Sequence, residues 1–277
     1  MALRNLRNNL TSTYPFGGPT RVVIPDSKID WTSPWPEYSP PDFTIKAILN
    51  GVAWADAQLP VKWNQEDGAV NRKSHHGNYL IDAEGYPLNP AGRTGLKGRG
   101  RLGRWATNHA ADCIITRFKK EDETVCMLEG KPQLQFIGII RGDTGEAAFP
   151  GGFIEFGEDG MAAAKREFLE EVFSIDDLTE EERCTLEVEL KNVFNKGEMV
   201  YEGYVDDHRN TDNAWIETEA VNFSLDGLAA DVFKNLNFKA GSDANEALWI
   251  DVDQNVKLYA SHKSIIKILV EKLNAYW

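Results

Sequence analysis

The segment PGGFIEFGEDGMAAAKREFLEEVF, Pro150 to Phe173, constrains this chain more than any other. It holds five glutamates and one aspartate, and Glu167, Glu170 and Glu171 fall within five consecutive positions. Met161 to Phe173 consists of good helix formers and predicts a helix. Residues three and four apart share a helix face, so Glu167 meets both Glu170 and Glu171. Like charges so placed cost about 0.2–0.5 kcal/mol per exposed pair, and more when partly buried. The other face carries Ala163, Phe168 and Val172, which predicts packing on a core. The acidic face is therefore fixed in place, and something must offset its repulsion. Pro150-Gly151-Gly152 lets the backbone come close to a neighbour. Two readings follow. In one, the glutamates form a solvated face with Lys165 and Arg166 nearby. In the other, they hold a hard divalent cation, which takes oxygen ligands from carboxylates and substrate phosphates.

The rest of the chain limits the choice. Its 277 residues allow one or two domains and a sizeable core. The net charge of −13 argues against nucleic acid as the main partner, because that affinity comes from basic residues. No apolar run is long enough to insert into a membrane. The opening MALRNLRNNL is a poor secretion signal and short for a mitochondrial transit peptide. Cys113, Cys126 and Cys184 form no CxxC pair, and an odd count argues for a reducing compartment. The sequons at Asn9 and Asn222 mean nothing in a cytosolic chain.

The first third is rich in Pro, Trp and Gly and predicts an irregular domain with short strands. Lys46 to Ala57 is ambiguous between helix and strand. GRTGLKGRGRLGR, Gly92 to Arg104, reads as a basic loop. The domain boundary is placed just after it, giving domains 1–105 and 106–277. The second domain reads as α/β (α+β). Strands are expected at Asp112 to Phe118, Leu134 to Arg141, Glu198 to Asp206, Ala214 to Phe223 and Glu246 to Val252. Helices are expected at Met161 to Phe173, Thr179 to Phe194 and Ser261 to Asn274, with Ser261 as N-cap. Gly98-x-Gly100-x-x-Gly103 matches the dinucleotide fingerprint in letters only. A loop precedes it and a strand is expected after it, where that fingerprint needs a strand and then a helix.

Gly152, Glu158 and the run Arg166-Glu167-Phe168-Leu169-Glu170-Glu171 resemble the Nudix box, G-x5-E-x7-R-E-U-x-E-E-x-G-U, where U is apolar. Phe173 and Ser174 stand where the box has G-U, which leaves the helix exit open. The resemblance implies an αβα sandwich with a mixed sheet that binds Mg2+ or Mn2+ and hydrolyses a diphosphate linked to another group. It implies catalytic roles for Arg166, Glu167, Glu170 and Glu171. Gly152, Glu167, Glu170 and Glu171 would be metal ligands, and Glu158 with Arg166 would brace the loop.

Further stretches resemble the mitochondrial-type ADP-ribose pyrophosphatases and the related C-terminal domain of the ADP-ribose-gated melastatin-type cation channel. They are PEYSPPDFT, KSHHGNY, Gly92 to Asp112, Tyr201 to Phe223 and KLYASH at Lys257 to His262. The likeness runs from about Tyr14 to the end. It implies a loop-rich N-terminal domain and ADP-ribose as the partner. Substrate contacts are implied for Asn108, Asp207, Arg209, Tyr259 and His262; Arg141 is a further candidate substrate contact, and Arg99, Arg101 and Arg104 of the basic loop are candidates for phosphates. His208 stands where the family has proline. Plainer readings remain beside these. Asp207 to Asn210 is equally a simple turn, His262 a first-turn helix residue, and His75-His76 a surface loop.

The resulting expectation is an enzyme that cleaves ADP-ribose to AMP and ribose 5-phosphate. The alternatives are an ADP-ribose sensor domain of a tetrameric cation channel, or a Nudix hydrolase for another nucleotide. The lack of a leader and the end at KLNAYW suit an excised C-terminal domain. The expected location is cytoplasmic, on the cytosolic face of a membrane if the domain belongs to a channel, with the mitochondrial matrix as alternative.

Overall fold

The computed structural model describes residues 3, 6–60, 62–142, 144–173, 178–225 and 244–277. The chain divides into two compact units, residues 1–109 with 202–218, and residues 110–201 with 219–277.

One seven-stranded sheet dominates. Its strands are β1 (Ala106–Phe118), β2 (Leu134–Arg141), β3 (Ala147–Ala148), β4 (Gly151–Phe153), β5 (Glu198–Tyr204), β6 (Ala214–Ser224) and β7 (Ala244–Asp251). The order is β3-β2-β1-β6-β5, with β4 also paired to β1 and β7 to β2. β2 runs antiparallel to β1, β3 and β7, and β4 antiparallel to β1. Among the described residues, three helices complete the second unit: α1 (Gly160–Phe173), α2 (Glu180–Phe194) and α3 (His262–Lys272).

The strand alternation of period two sets the layers of this unit. Cys113 and Ile115 of β1 join Ile137 and Ile139 of β2 on one face, with Phe168 and Val172 of α1 and Leu190 of α2. Ile114, Leu134 and Phe136 point the other way and pack with Ile265, Ile266 and Leu269 of α3. Helices thus cover both faces, and the fold is an αβα sandwich. Burying Phe168 completely is worth about 1.5–3 kcal/mol, which fixes the acidic face of α1 where the core leaves it.

Local signals explain the helix starts. Asp159 Oδ1 accepts the Ala162 N–H at 2.8 Å and caps α1. Thr179 and Glu182 form a reciprocal capping box on α2. Ser261 occupies the N-cap of α3 but makes no side-chain capping bond. Its backbone is already helical, and its carbonyl accepts from Ser264 and Ile265. The helix exit at Ser174 lies outside the described residues.

In the first unit, regular structure is short. Lys46–Leu49 makes one helical turn, and Glu66–Asp67 pairs with Val70–Asn71. The Gly-rich segment expected as a loop instead contains the strand Lys97–Gly100, which pairs in parallel with Asp42–Thr44. Gly98 makes this possible. It sits at φ +84°, and a Cβ there would lie 2.6 Å from both Asp42 Oδ1 and the Phe43 carbonyl. No helix follows, which agrees with the rejection of a dinucleotide fingerprint. Among the described residues, no helix is long and apolar enough to cross a membrane.

Candidate active site

The glycine turn and α1 meet through two glutamates. Glu171 Oε2 accepts the Gly151 N–H at 2.9 Å. Glu167 lies over Gly152, where a Cβ would fall 2.2 Å from its Oε1 and 2.6 Å from its Oε2. Any side chain at 152 would therefore displace that carboxylate. The absence of one makes a cradle in which carboxylate oxygens sit directly on backbone.

Arg166 braces the cradle. Its Nε and Nη2 donate to the two oxygens of Glu158 at 3.0 and 2.9 Å, and Nη2 also donates to the Phe153 carbonyl at 3.1 Å. Its Nη1 donates to Glu167 Oε1 at 2.7 Å and Glu170 Oε2 at 3.3 Å. One planar guanidinium so ties the β4 turn, the loop at Glu158 and the acidic helix face together. Hydrogen bonds from Arg166 hold Glu158 below the usual carboxylate range. Burial raises Glu167 against the pull of Arg166. Burial also pushes Glu171 up to about 8, with repulsion from Glu167 and Asp112 adding to it and the Gly151 N–H opposing it.

This donor set suits a hard divalent cation: carboxylate oxygens whose charge is disfavoured in the bare protein, beside a glycine that leaves room for them. Among the described residues, no three acidic, His or Cys side chains stand gathered as a finished cage. Arg166 draws Glu167 and Glu170 toward itself.

Arg141, Tyr259 and His262 belong to the same unit. The Arg141 guanidinium carbon stands 4.3 Å from the centre of the Tyr259 ring. Tyr259 packs edge-on to His262, with centroids 6.1 Å apart. His262 is a first-turn helix residue, yet it has an acceptor role as well: its Nδ1 receives the Phe149 N–H at 3.0 Å. Asp112 Oδ1 stands 3.5 Å from its Nε2. Sequence reasoning missed Asp112. The available signal was a lone carboxylate entering a run of Cys and Ile that reads as a buried strand.

Asn108, Arg101, Asp207 and Arg209 belong to the first unit. The Asn108 side chain accepts from the Arg104 N–H and donates to the Arg104 and Ala106 carbonyls, so it shapes its own loop. Asp207 is 1% exposed and takes a bidentate pair from Arg209 at 2.9 Å each. The Asn210 N–H donates to the Asp207 carbonyl, so a turn is present too. Arg101 lies over the Phe16 ring at 4.6 Å, and its N–H donates to the Tyr14 hydroxyl, which donates to the Arg209 carbonyl. Arg99 donates to the Asp56 and Gly103 carbonyls, and Arg104 pairs with Asp56. His76 Nε2 accepts the Tyr204 N–H, so that part of the His75-His76 loop is tied down.

Comparison with known proteins places this arrangement. Residues 24–106 match the family model described as NUDT9-like, N-terminal domain. The chain is 44% identical to the mitochondrial ADP-ribose pyrophosphatase of Rattus norvegicus over 276 residues, covering 96% of this chain and 78% of that protein. It is 40% identical to the transient receptor potential cation channel subfamily M member-like 2 of Nematostella vectensis, over 96% of this chain but 18% of the channel. It is 39% identical to the putative nudix hydrolase 6 of Caenorhabditis elegans, over 95% of each chain. With the Nudix box intact from Gly152 to Glu171, the chain belongs to the Nudix family of mitochondrial-type ADP-ribose pyrophosphatases, together with the homologous domain of melastatin-type cation channels.

Proposed function

We propose that this chain hydrolyses the pyrophosphate bond of ADP-ribose to AMP and ribose 5-phosphate. The observation that carries the reading is the complete set of Glu167, Glu170 and Glu171, braced by Arg166 over a glycine turn. A sensor that has lost catalysis has no need of all four. Support for the substrate comes from the pyrophosphatase relative, which matches nearly the whole chain.

The chemistry follows from charge. A pyrophosphate repels an attacking water. Glu167, Glu170, Glu171 and the Gly152 carbonyl are the groups that would hold a divalent cation, Mg2+ or Mn2+, which when bound would supply neutralisation of phosphate oxygens and a lowered pKa for a water. The protein's own part is placement and proton transfer. Arg166 holds the glutamate oxygens at the glycine turn. The water oxygen bonds to phosphorus, the bridging P–O bond breaks, and the departing phosphate keeps that electron pair. The water's proton passes to a carboxylate of α1, Glu170 or Glu171. Arg141, Tyr259, His262, Asn108, Arg101, Asp207 and Arg209 are the substrate contacts in this reading. The N-terminal part, residues 1–105, contributes to substrate binding and residues 106–277 form the hydrolase core.

The test is AMP release from ADP-ribose by purified protein with Mg2+, compared with Mn2+. Glu170→Gln combined with Glu171→Gln should abolish release without unfolding the protein, as read by circular dichroism. A second reading has support in the channel relative: an ADP-ribose sensor, part of a tetrameric cation channel. Binding of ADP-ribose by calorimetry without AMP release would favour it. The location follows the same division, cytosolic face of a membrane for a channel domain, cytosol or mitochondrial matrix for a free enzyme.

A further inference from the structure

The loop from Asp206 to Asn210 joins β5 to β6 and holds no strand or helix, yet each of its five carbonyls has a donor. The Asp207 carbonyl takes the Asn210 N–H within the loop. The other four take side chains from the start of the chain. Asn9 Nδ2 donates to the Asp206 carbonyl at 2.8 Å, and the Tyr14 hydroxyl donates to that of Arg209 at 3.0 Å. Arg21 Nη2 donates to the carbonyls of His208 and Asn210 at 2.7 and 2.8 Å. Irregular backbone keeps one shape where its polar groups are satisfied. Here the donors stand 187 to 197 positions earlier in the chain. All of these residues belong to the first unit.

Tyr14 does more than hold that loop. Its hydroxyl oxygen also accepts the Arg101 N–H at 2.8 Å, so one hydroxyl joins the backbones of Arg101 and Arg209. The side chain is 1% exposed, and its slot is made by glycines. A Cβ on Gly18 would lie 2.7 Å from Tyr14 Cδ1, and one on Gly100 would overlap the hydroxyl. The two guanidinium groups are held as well. Asp207 takes that of Arg209 in a bidentate pair, and that of Arg101 lies 4.6 Å over the Phe16 ring. Phe16 stands in the same turn as Tyr14, which the Thr13–Thr20 bridge closes. It adopts φ +56°, an uncommon left-handed conformation for a bulky side chain. At 56% exposed, it is not driven there by burial. Its ring faces Arg101 and, edge-on at 6.2 Å, His208.

We propose that Tyr14 is a positioning residue that sets the spacing between Arg101 and Arg209. The turn from Tyr14 to Gly18, ahead of the residues 24–106 that match the family model, is thereby part of the substrate-binding apparatus. A ligand with several polar groups binds more tightly when their partners are already spaced to meet them, because less ordering is left to do on binding. Tyr14 fixes the backbones, and Phe16 and Asp207 fix the side chains. The proposal rests on the reading of Arg101 and Arg209 as ADP-ribose contacts.

The experiment uses Tyr14→Phe, which keeps the ring in its slot and removes only the hydroxyl. KM for ADP-ribose should rise about tenfold, with kcat within about twofold. In the ligand-free protein, amide hydrogen exchange over residues 206–210 should quicken about tenfold, as read by mass spectrometry, with the strands of the large sheet unchanged. Loss of folded protein alone would lower kcat and leave KM in place, so an unchanged KM overturns the proposal, and so does unchanged exchange. If Tyr14→Phe does not fold, the exposed Phe16 supplies the second variant. Phe16→Ala should raise KM, and Phe16→Tyr, which keeps a ring face for Arg101, should restore it; one KM for all three proteins overturns the proposal. If the wild type binds without turnover, the same ratios are read as Kd by calorimetry. If it neither binds nor cleaves ADP-ribose, the functional reading has failed, and the exchange over residues 206–210 alone decides whether Tyr14 sets the loop. If it does either and the variants match it in KM or Kd, only the positioning role has failed.

Discussion

Glu171 and Gly151 stand 20 residues apart and are joined by one hydrogen bond, carboxylate to backbone N–H, at 2.9 Å. That bond seats the acidic helix on the glycine turn. It also marks Glu171 as a group with two environments. In the bare protein it is pushed up to about 8, chiefly by burial. Between 4.5, its ordinary value, and about 8, the folded protein holds this proton and the unfolded chain does not. The group therefore costs no stability below pH 4.5, and its penalty grows as pH rises through that window to full size above about 8. Glu171→Gln should raise the melting temperature of chelator-treated protein at pH 9 and leave it unchanged near pH 4. Thermal melts across pH check this, and an equal shift at both pH values would refute it. Cation binding should also release a proton in this window, visible as buffer-dependent heat in calorimetry.

Gly152→Ala separates folding from chemistry. The new Cβ would overlap the Glu167 carboxylate, the flexible end of a side chain, so the fold can adapt by moving it. Displacing a ligand by about 1 Å can cost about 100-fold in rate. The expected result is a melting temperature within a few degrees of wild type and a kcat lowered about 100-fold. A variant with unchanged kcat would show that Glu167 does not need its place over Gly152.

Arg166→Lys keeps the charge and loses the fork. Lysine cannot reach Glu158, Glu167 and Glu170 in one plane as the guanidinium does. The expected loss is at least about tenfold in kcat, with a stability cost of about 1 kcal/mol for the lost charge-assisted bonds. Steady-state kinetics with urea melts would measure both. Equal activity in the lysine variant would reduce Arg166 to a generic cation.

Much of this was legible in the sequence, for physical reasons. The helix of the glutamates has a strong 3.6-residue pattern, and its core face at Ala163, Phe168 and Val172 is fully buried as expected. Long apolar strands such as Leu134 to Arg141 carry their own signal. The strand at Lys97–Gly100 was not legible, because glycine has no pattern and its pairing depends on distant Asp42 and Phe43. Asp112 and the Nδ1 contact of His262 were hidden for the same reason: both depend on which residues the sheet sets side by side. The pairing of Asp207 with Arg209 was within reach, since i and i+2 in a turn can share a carboxylate.

That pair gives the last prediction. Burial drives the Asp207 carboxyl up, but the charge and hydrogen bonds of Arg209 outweigh it and hold the group well below the carboxylate range. A depressed carboxyl contributes stability above its unfolded value of 3.8, and that stability is lost as pH falls further. Removing the Arg209 side chain takes the bidentate partner away from this buried carboxylate. Arg209→Ala should therefore lower stability by about 3 kcal/mol at pH 7 without any ligand present, a cost typical of breaking a buried pair. Asp207→Asn with Arg209→Ala should recover part of it, since no charge is then left buried. Urea melts of the ligand-free variants decide the matter. If Arg209→Ala melts like wild type and loses only ADP-ribose binding, the arginine serves the ligand and not the turn.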